Sequence, residues 1–356
     1  MGPPSGKGRG TVRRHLVGGG LEGGRYRRPQ ARKQGQGHRH DPAQLRRAVP
    51  VHAAVCRHRG KLILPSWCAS GRRFVDLHAH SAVSDGQFSP ADVVAMADQL
   101  KLAAIALTDH DTVDGLAEAR RSAAQFPDLR FAAGIEVSAE PPSGTLHILG
   151  LGIDAEAASL VDMLATLQKG RRERNPKIVA KLQALGLAIT MDDVSAVARE
   201  AGGTDDIISR GHIAEALRRG GHVRDRQQAF DLYIAAGGPA YVGRQRLSPA
   251  DSIAAIHAAG GLAFLAHPPQ LKCDNNAQLD RIVHNLVEAG LDGIEAYCSD
   301  CTAEQTRHCI DLARQYELFL IGGSDFHGAV KPDVRMGHPR TPAAVIPDEL
   351  ADRLFR

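Results

Sequence analysis

Two histidines one residue apart constrain this chain more than any other feature of its sequence. Residues 75–86 read VDLHAHSAVSDG, with His78 and His80 at the end of a short apolar run. In a β-strand, residues i and i+2 point to the same side, so both imidazoles can face one point. Asp85 follows a short turn and can return to that point as a carboxylate. Such a pair is equally compatible with two incidental histidines, but imidazole and carboxylate together suit zinc, manganese or iron.

The charge of the chain is divided unevenly along its length. Residues 1–73 carry 17 Lys or Arg and two acidic residues, about +15, which leaves about −11 for residues 74–356. An acidic body argues against broad binding of duplex DNA, which needs basic surface. Residues 1–72 are rich in Gly, Pro and Arg and lack a hydrophobic period, so we expect a disordered basic extension. Two interpretations stay open for it, a nucleic-acid-binding arm and a dispensable extension.

The cysteines and the hydrophobicity of the chain favour a cytoplasmic location. Six cysteines in 356 residues, without an apolar leader before them, predict reduced thiols. Cys298 and Cys301 form a lone CxxC, and without a second such pair the motif favours a structural loop over a zinc site. No apolar run reaches the roughly 18 residues that a membrane helix needs, so we expect no membrane association.

From Phe74 onwards, short apolar runs alternate with amphipathic stretches. The apolar runs predict strands over 74–77, 103–107, 131–137, 145–150, 262–266, 293–297 and 319–321. Ser-Pro-Ala-Asp occurs at 89–92 and again at 248–251, and each copy predicts a helix start with serine as N-cap and proline at the first helical position. The order strand, helix, strand predicts a parallel α/β layout with its chemistry at the C-terminal ends of the strands.

The strand pattern is lost between residues 155 and 245. Helical periodicity replaces it over 158–167, 178–185 and 213–217. We therefore expect a discontinuous barrel formed by residues 73–154 and 246–356. Residues 155–245 are expected to form a helical insertion, a candidate lid over the mouth of the barrel.

Histidines and carboxylates recur at the ends of the predicted strands. Any one of them can be an ordinary core histidine or surface carboxylate, but a whole set at strand ends is not expected by chance. The set exceeds what one ion can bind, so we expect two or three ions, with Glu136 as the bridging carboxylate. The predicted metal ligands are His78, His80, Asp85, His110, Glu136, His147, His267, Asp325 and His327.

The motifs that carry these residues resemble those of one family. DLHAHS with SDG, then TDHDT, GIEVS, HILG, AHP and GGSDFHG, in this order within residues 74–342, resemble the polymerase and histidinol phosphatase (PHP) family of metal-dependent phosphoesterases. The resemblance implies a distorted, TIM-like β/α barrel of seven strands. It also implies a trinuclear centre of manganese, iron or zinc, with manganese favoured, in which the same nine residues are the ligands.

The helical insertion resembles that of a bacterial branch of this family, which hydrolyses 3',5'-nucleoside bisphosphates and trims short RNA from its 5' end. The matching segments are RRERNP at 171–176, SRGHI at 209–213, AFD at 229–231 and GPAYV at 238–242, with Gly211 where most relatives have proline. Guanidinium groups can bind a second, non-reacting phosphate in bidentate fashion, although a solvated helix face would explain the same arginines. The predicted substrate-binding residues are Arg171, Arg174, Asn175, Arg210 and His212.

These features predict a phosphoesterase that uses a metal-activated water and needs no side-chain nucleophile. The expected reaction removes the 3'-phosphate of a 3',5'-nucleoside bisphosphate, with 5'-to-3' trimming of short RNA as a further activity. One alternative is a small-molecule phosphatase of the histidinol phosphate type, against which the helical insertion argues. Another is an RNA-binding protein that acts through its basic extension. A polymerase proofreading module is not expected, because no polymerase sequence comes after Arg356.

Overall fold

The computed structural model describes residues 2, 57–58, 61–62, 65–68, 71–200, 205–244 and 246–356. Most of the basic extension predicted over residues 1–72 therefore lies outside the described residues. Of the described part, Arg57–His58 pairs antiparallel with Lys61–Leu62. The indole N–H of Trp67 donates to the carbonyl of Ile346 at 3.1 Å.

The strands of the described residues form one main sheet in chain order. They are Phe74–Ala79 (β1), Ala104–Leu107 (β2), Arg130–Ala139 (β3), Leu146–Leu151 (β4), Leu262–Leu265 (β5), Gly293–Tyr297 (β6), Phe319–Gly322 (β7) and the short Thr341–Pro342 (β8), which pairs with β1. The backbone N–H of His80 donates to the carbonyl of Phe326 at 2.9 Å, and that of Asp325 donates to His78 at 2.9 Å. These bonds join the ends of β1 and β7, so the seven longer strands close into a ring. The predicted distorted TIM-like barrel is confirmed.

Strand β4 departs from the parallel order expected for all strands. It pairs antiparallel with both β3 and β5, whereas β1 to β3 and β5 to β7 run parallel. Only residues 140–145 connect β3 to β4, and a parallel crossover needs a dozen residues or more. The hairpin places the start of β4, with His147, at the end of the barrel where the parallel strands finish.

Helices cover the outside of the barrel and fill the segment between β4 and β5. They are Pro90–Gln99 (α1), Leu116–Ala123 (α2), Ala158–Ala184 (α3), Met191–Glu200 (α4), Arg210–Arg219 (α5), Arg226–Ala229 (α6), Pro249–Ala258 (α7), Asn276–Glu288 (α8), Ala303–Gln315 (α9) and Asp348–Leu354 (α10). The hydroxyls of Ser89 and Ser248 each accept a backbone N–H three residues later, at 3.1 Å. Both predicted N-caps are therefore present.

The segment between β4 and β5 has an apolar cluster of its own, built from α3 to α6. The two periodic stretches predicted at 158–167 and 178–185 belong to the single helix α3, which continues through Pro176. Polar residues of α3, among them Arg171 and Arg174, are buried between those stretches. Their burial is why the hydrophobic period is interrupted in the sequence although the helix is continuous.

The expectation of reduced thiols is wrong for one cysteine pair. Cys298 and Cys301 form a disulfide in the loop after β6, with Cα atoms 5.2 Å apart. A turn in which the N–H of Cys301 donates to the carbonyl of Cys298 at 3.1 Å brings the two side chains together. Cys68, Cys273 and Cys309 are free thiols. Within the described ranges, no helix combines the length and the apolar character needed to cross a membrane.

Substitution of Gly323 tests how closely β1 and the end of β7 pack where the barrel closes. A Cβ at this position would lie 2.5 Å from the backbone nitrogen of His78 and closer still to its Cβ. Because backbone atoms cannot rotate away, we expect Gly323→Ala to lower the free energy of unfolding by about 1–3 kcal/mol. Urea unfolding of the metal-free protein measures this change. Gly243→Ala is the matched control, since its Cβ would meet nothing within 4 Å; equal stability of both variants would contradict close packing at Gly323.

Candidate metal centre

The structure brings all nine predicted metal ligands to one end of the barrel. This is the end at which the parallel strands finish and β4 begins. The residues come from β1 and the turn after it (His78, His80, Asp85), the loop after β2 (His110), β3 (Glu136), the start of β4 (His147), the loop after β5 (His267) and the loop after β7 (Asp325, His327). The spacing of two in β1 thus directs both of its histidines into the barrel mouth.

Glu136 lies at the centre of this group and is fully buried. Its Oε1 is 2.7 Å from both Nδ1 of His147 and Nε2 of His267. Its Oε2 is 2.9 Å from Nδ1 of His110 and 3.2 Å from Nε2 of His80. Burial alone would raise the pKa of Glu136, but the surrounding imidazoles, His110 and His147 foremost, hold that pKa well below its usual range. Each oxygen of Glu136 therefore faces imidazole nitrogens, at the place where the sequence predicts a bridging carboxylate.

Donor atoms of eight of the nine residues, all but His267, gather in three overlapping groups, and within each group they lie within 4.8 Å of one another. The groups are His80, Asp85, His110 and His327; His78, His80, Glu136 and Asp325; and His110, Glu136 and His147. Ligand atoms held about 2.1 Å from one ion lie about 3.0–3.4 Å apart, close to the separations around Glu136. The arrangement can therefore hold more than one divalent ion.

Several of these donor atoms are buried without a hydrogen-bond partner. They are Nε2 of His78, both ring nitrogens of His80, Nδ1 of His110, Oε2 of Glu136 and Nδ1 of His267. Buried polar atoms are nearly always satisfied, because an unsatisfied one retains its full desolvation penalty. Metal ions at the centre of the group would satisfy one nitrogen of each imidazole and the carboxylate oxygen, so the residues present fit the metal centre that the sequence predicts.

Glu295, which the sequence pattern did not single out, supports two of these histidines from β6. The Nδ1–H of His78 donates to Glu295 at 3.1 Å, which leaves Nε2 of the same ring free to face the centre. The backbone N–H of His267 donates to the other oxygen of Glu295 at 2.6 Å. Carboxylates in this position fix the tautomer and orientation of a ligand histidine.

Two further buried carboxylates hold the loops that carry the ligands. Asp76 accepts hydrogen bonds from the N–H and hydroxyl of Ser324, at 2.8 and 2.6 Å. Asp109 accepts from the N–H and hydroxyl of Ser81, at 2.8 and 2.6 Å. Burial raises the pKa of both carboxyls, and these hydrogen bonds oppose that rise. The sequence contains a signal for these supporting residues: Asp76 and Glu295 are acidic residues inside apolar strand runs, and a buried carboxylate requires hydrogen-bond partners.

Asp111 joins the edge of the metal centre to the arginines of the helical segment. Its Oδ2 accepts from Arg171 and, at 2.9 Å, from Nη2 of Arg244, while its Oδ1 accepts from the N–H of Ser138 at 2.8 Å. Burial alone would raise the pKa of Asp111, but the guanidinium groups of Arg244 and Arg171 hold it far below its usual range. Arg171 thus contacts a carboxylate, and Asp111 and Arg244 join the site without having been predicted.

Arg174 is buried beside this pair without a carboxylate partner among the described residues. Its Nε and Nη2 donate to Oδ1 of Asn175 at 3.0 and 2.8 Å, and Asn175 in turn donates to the carbonyl of Ile208 at 2.9 Å. Burial and then the neighbouring guanidinium groups lower the pKa of Arg174 to about 8. So much unneutralised positive charge in a buried place indicates a site for an anion.

Arg210 and His212 lie at the start of α5. The guanidinium of Arg210 lies 5.7 Å from the ring centres of both Phe230 and Tyr241. Nδ1 of His212 accepts the N–H of Ser209 at 3.1 Å, so Nε2 carries the proton, and that buried atom has no hydrogen-bond partner. Burial lowers the pKa of His212 to about 4, so the ring is neutral at pH 7. His212 is therefore a fixed donor with an unused N–H.

One cavity of about 1200 Å³ connects the two groups of residues. Its wall includes the metal-centre residues His110, His147 and His327 and eight arginines. Three of these arginines contact Glu215, namely Arg218, Arg219 and Arg226. The other five, called the arginine cluster below, are Arg171, Arg174, Arg210, Arg244 and Arg246. Asn175 and His212 lie behind this wall and do not line the cavity. The structure thus places a cluster of imidazoles and carboxylates opposite a cluster of guanidinium groups in a single cavity.

The chain is similar to known proteins over most of its length. Residues 76–237 match the family model described as PHP domain. The chain is 35% identical over 264 residues to the 3',5'-nucleoside bisphosphate phosphatase of Chromobacterium violaceum, which covers 74% of this chain and 90% of that protein. It is 32% identical over 254 residues to the 5'-3' exoribonuclease Rnm of Escherichia coli, covering 71% of this chain and 84% of that protein.

The fold is also similar to that of a solved structure. An amidohydrolase from Chromobacterium violaceum, crystallised with bound sulfate and no metal, superposes with a TM-score of 0.71 at 34% sequence identity. The similarity covers 79% of this chain and 97% of that one.

The support that Glu295 provides can be measured directly. An amide in place of this carboxylate would accept the His78 and His267 hydrogen bonds more weakly, so we expect Glu295→Gln to weaken metal binding roughly 10- to 100-fold. Competition with a chelator for Mn²⁺ measures the affinity. Glu288→Gln, on the exposed face of α8, is the matched control. Parent-like affinity in Glu295→Gln would show that this carboxylate does not orient the ligands.

Proposed function

This chain belongs to the PHP family of metal-dependent phosphoesterases, and we propose that it removes the 3'-phosphate from 3',5'-nucleoside bisphosphates and also trims short RNA from its 5' end. The observation that carries the proposal is the shared cavity, with metal-binding side chains on one side and the arginine cluster on the other. A substrate with two phosphates on one ribose matches two separate sites for negative charge. Relatives named as a 3',5'-nucleoside bisphosphate phosphatase and a 5'-3' exoribonuclease support the same interpretation.

We propose that the nine residues at the barrel mouth hold two or three divalent ions, manganese in preference to iron or zinc. Bound there, the ions would activate a water molecule as the nucleophile and offset the charge of the phosphate oxygens. The protein then supplies no side-chain nucleophile. Its own contribution is to orient the reacting phosphate and to hold the rest of the substrate in place.

The second phosphate is assigned to the arginine cluster. Asp111 holds Arg171 and Arg244 side by side, and Nη1 of Arg244 is a buried donor without a hydrogen-bond partner. Arg174, fixed by Asn175, contributes charge that no carboxylate among the described residues neutralises. Guanidinium groups held in this way can bind a phosphate through two parallel hydrogen bonds each without losing side-chain entropy on binding.

His212 is proposed to support substrate binding from behind the cavity wall, as a neutral and buried hydrogen-bond donor. Its tautomer is set by the N–H of Ser209, so it cannot serve as a general base through Nε2. The helical segment over residues 155–245 that carries His212, Arg171 and Arg174 is proposed as a lid, because it supplies the arginine side of the cavity. Nucleotide substrates are consistent with the cytoplasmic location that we infer for the protein.

A single-phosphate substrate of the histidinol phosphate type would leave the arginine cluster without a ligand, which disfavours that alternative. Binding of RNA through the basic extension concerns residues outside the described ranges. It would not require either the metal-binding side chains or the arginines, whereas the proposed reaction requires both.

The metal centre has a direct test. We expect His80→Ala and Asp325→Ala to lower the bound metal and to abolish phosphate release from adenosine 3',5'-bisphosphate, because each residue belongs to a group of converging donor atoms. Elemental analysis and a phosphate assay on the same preparation measure both effects. His284→Ala, an exposed histidine of α8, should leave metal content and activity unchanged. Full activity in either ligand variant would refute the site.

The arginine cluster is tested by comparing substrates with and without the second phosphate. We expect Arg174→Gln to lower kcat/KM for adenosine 3',5'-bisphosphate roughly 10- to 100-fold, because one charge-assisted hydrogen bond contributes about this much. The value of kcat/KM for 3'-AMP, which lacks the 5'-phosphate, should stay nearly unchanged. The parent should prefer the bisphosphate to both 3'-AMP and histidinol phosphate. Arg281→Gln, exposed on α8, is the control. Faster hydrolysis of histidinol phosphate by the parent would overturn the proposed substrate.

A further inference from the structure

A second cavity, of about 1010 Å³, lies beside the metal centre and has no part in the reaction described above. We call it the β1 groove. Its lining residues include Arg73 and Phe74 at the start of β1 and Gln87 and Phe88 in the loop after it. The groove thus has lining residues from both ends of β1, although of the strand itself only Phe74 lines it.

The β1 groove begins at the metal centre. Gln87, Ala329 and Pro332 line both the groove and the cavity that holds the metal-binding side chains. The N–H of Ala329 donates to Oε1 of Gln87 at 2.6 Å, which joins the two loops at this point. Gln87 lies two residues after Asp85, and Ala329 lies two residues after His327. A chain that leaves the metal centre over this contact therefore enters the groove directly.

The groove has an apolar floor and a basic rim. The rings of Phe88 and Phe326 lie parallel within 6°, with centres 6.0 Å apart, and Leu100 is 54% exposed. The cations on the rim are Arg73, Lys101, Arg335 and Arg340, and none of the described residues that line the groove is acidic. Residues 74–356 as a whole carry about −11, so this basic strip stands out against an acidic body.

We propose that the β1 groove binds the single-stranded RNA chain on the 3' side of the reacting phosphate. The proposal rests on the RNA-trimming activity proposed above. Phosphates of the chain would pair with the basic rim, and bases would pack on the aromatic and aliphatic floor. Such a surface binds RNA with little sequence preference, because every base has a face that can stack and every nucleotide has a phosphate.

The placement agrees with the bond that is broken. In the bisphosphate and in RNA alike, water adds across the P–O3' bond of the first nucleotide. The water oxygen joins the phosphorus, and a proton goes to the 3' oxygen of the nucleotide that is released. In RNA the phosphate then remains on the 5' end of the shortened chain, which is the part in the β1 groove. The arginine cluster holds the non-reacting 5'-phosphate of the first nucleotide, and the groove holds the nucleotides on the 3' side of the reacting phosphate.

Charge reversal on the rim tests the proposal in the full chain. Lys101→Glu and Arg335→Glu change exposed side chains that belong neither to the metal centre nor to the arginine cluster. We expect kcat/KM for a 5'-phosphorylated hexaribonucleotide to fall roughly tenfold and to become less dependent on salt, while that for adenosine 3',5'-bisphosphate stays within about twofold. For a 5'-phosphorylated dinucleotide, kcat/KM of these variants should fall less than it does for the hexanucleotide. Arg307→Glu, exposed on α9 away from the groove, is the control.

The possible results separate this inference from the proposed function. An unchanged rate on the hexanucleotide, or an equal loss on all substrates, would overturn the groove assignment and leave the phosphatase reaction standing. A change of oligomeric state in the variants without any dependence on RNA length would assign the groove to a second copy of the chain and overturn it as well. Failure of the parent to hydrolyse the bisphosphate would instead overturn the proposed function, and the groove assignment with it.

Discussion

The burial of one ionised carboxylate, Glu136, is the constraint on which the rest of the structure depends. A buried carboxylate without partners costs several kcal/mol, so it must be surrounded by groups that share its charge. Histidines from four different strands or the loops after them do this, His147 and His267 at one oxygen and His80 and His110 at the other. The barrel must close and β4 must run antiparallel for those rings to meet. The same convergence of imidazoles and carboxylate is what suits the site to divalent metal ions.

A second set of buried carboxylates holds the loops of this centre, including two residues in strained backbone conformations. Asp76, Asp109 and Glu295 accept hydrogen bonds from the loops that carry the ligands, and each is fully buried or nearly so. His267 and Asp325 have positive φ angles of 24° and 58°, which cost roughly 1–3 kcal/mol each for residues other than glycine. Such conformations persist only where the surroundings determine them. Here those surroundings are the hydrogen bonds that hold the two loops at the barrel mouth.

The metal centre and the arginine cluster face the same cavity. Carboxylates and imidazoles of the metal centre line the barrel side, and the arginine cluster lines the side of the helical segment, which also carries Glu200, Glu215 and Asp225. Asp111 stands between them, 60 residues from Arg171 and 133 from Arg244 in the chain, and accepts hydrogen bonds from both. Without this carboxylate, two adjacent guanidinium groups would repel each other in a buried place. Its presence lets the protein hold positive charge close to the metal-binding side chains while keeping the two clusters distinct.

The sequence by itself determined the elements and the position of the site along the chain. Strand period places His78 and His80 on one side, Ser-Pro-Ala-Asp caps α1 and α7, and the strand ends name the nine residues that the structure brings together; their role as ligands stays a prediction. These rules act over a few neighbouring residues, so they can be read from sequence. The tertiary structure decided the antiparallel direction of β4, the Cys298–Cys301 disulfide, and the partners of Arg171 and Asn175. The partners of Arg171 and Asn175 depend on which distant groups meet when the barrel closes, and such contacts leave no local pattern in the chain. The direction of β4 and the disulfide depend on the path of short loops, which hydrophobic periodicity does not specify.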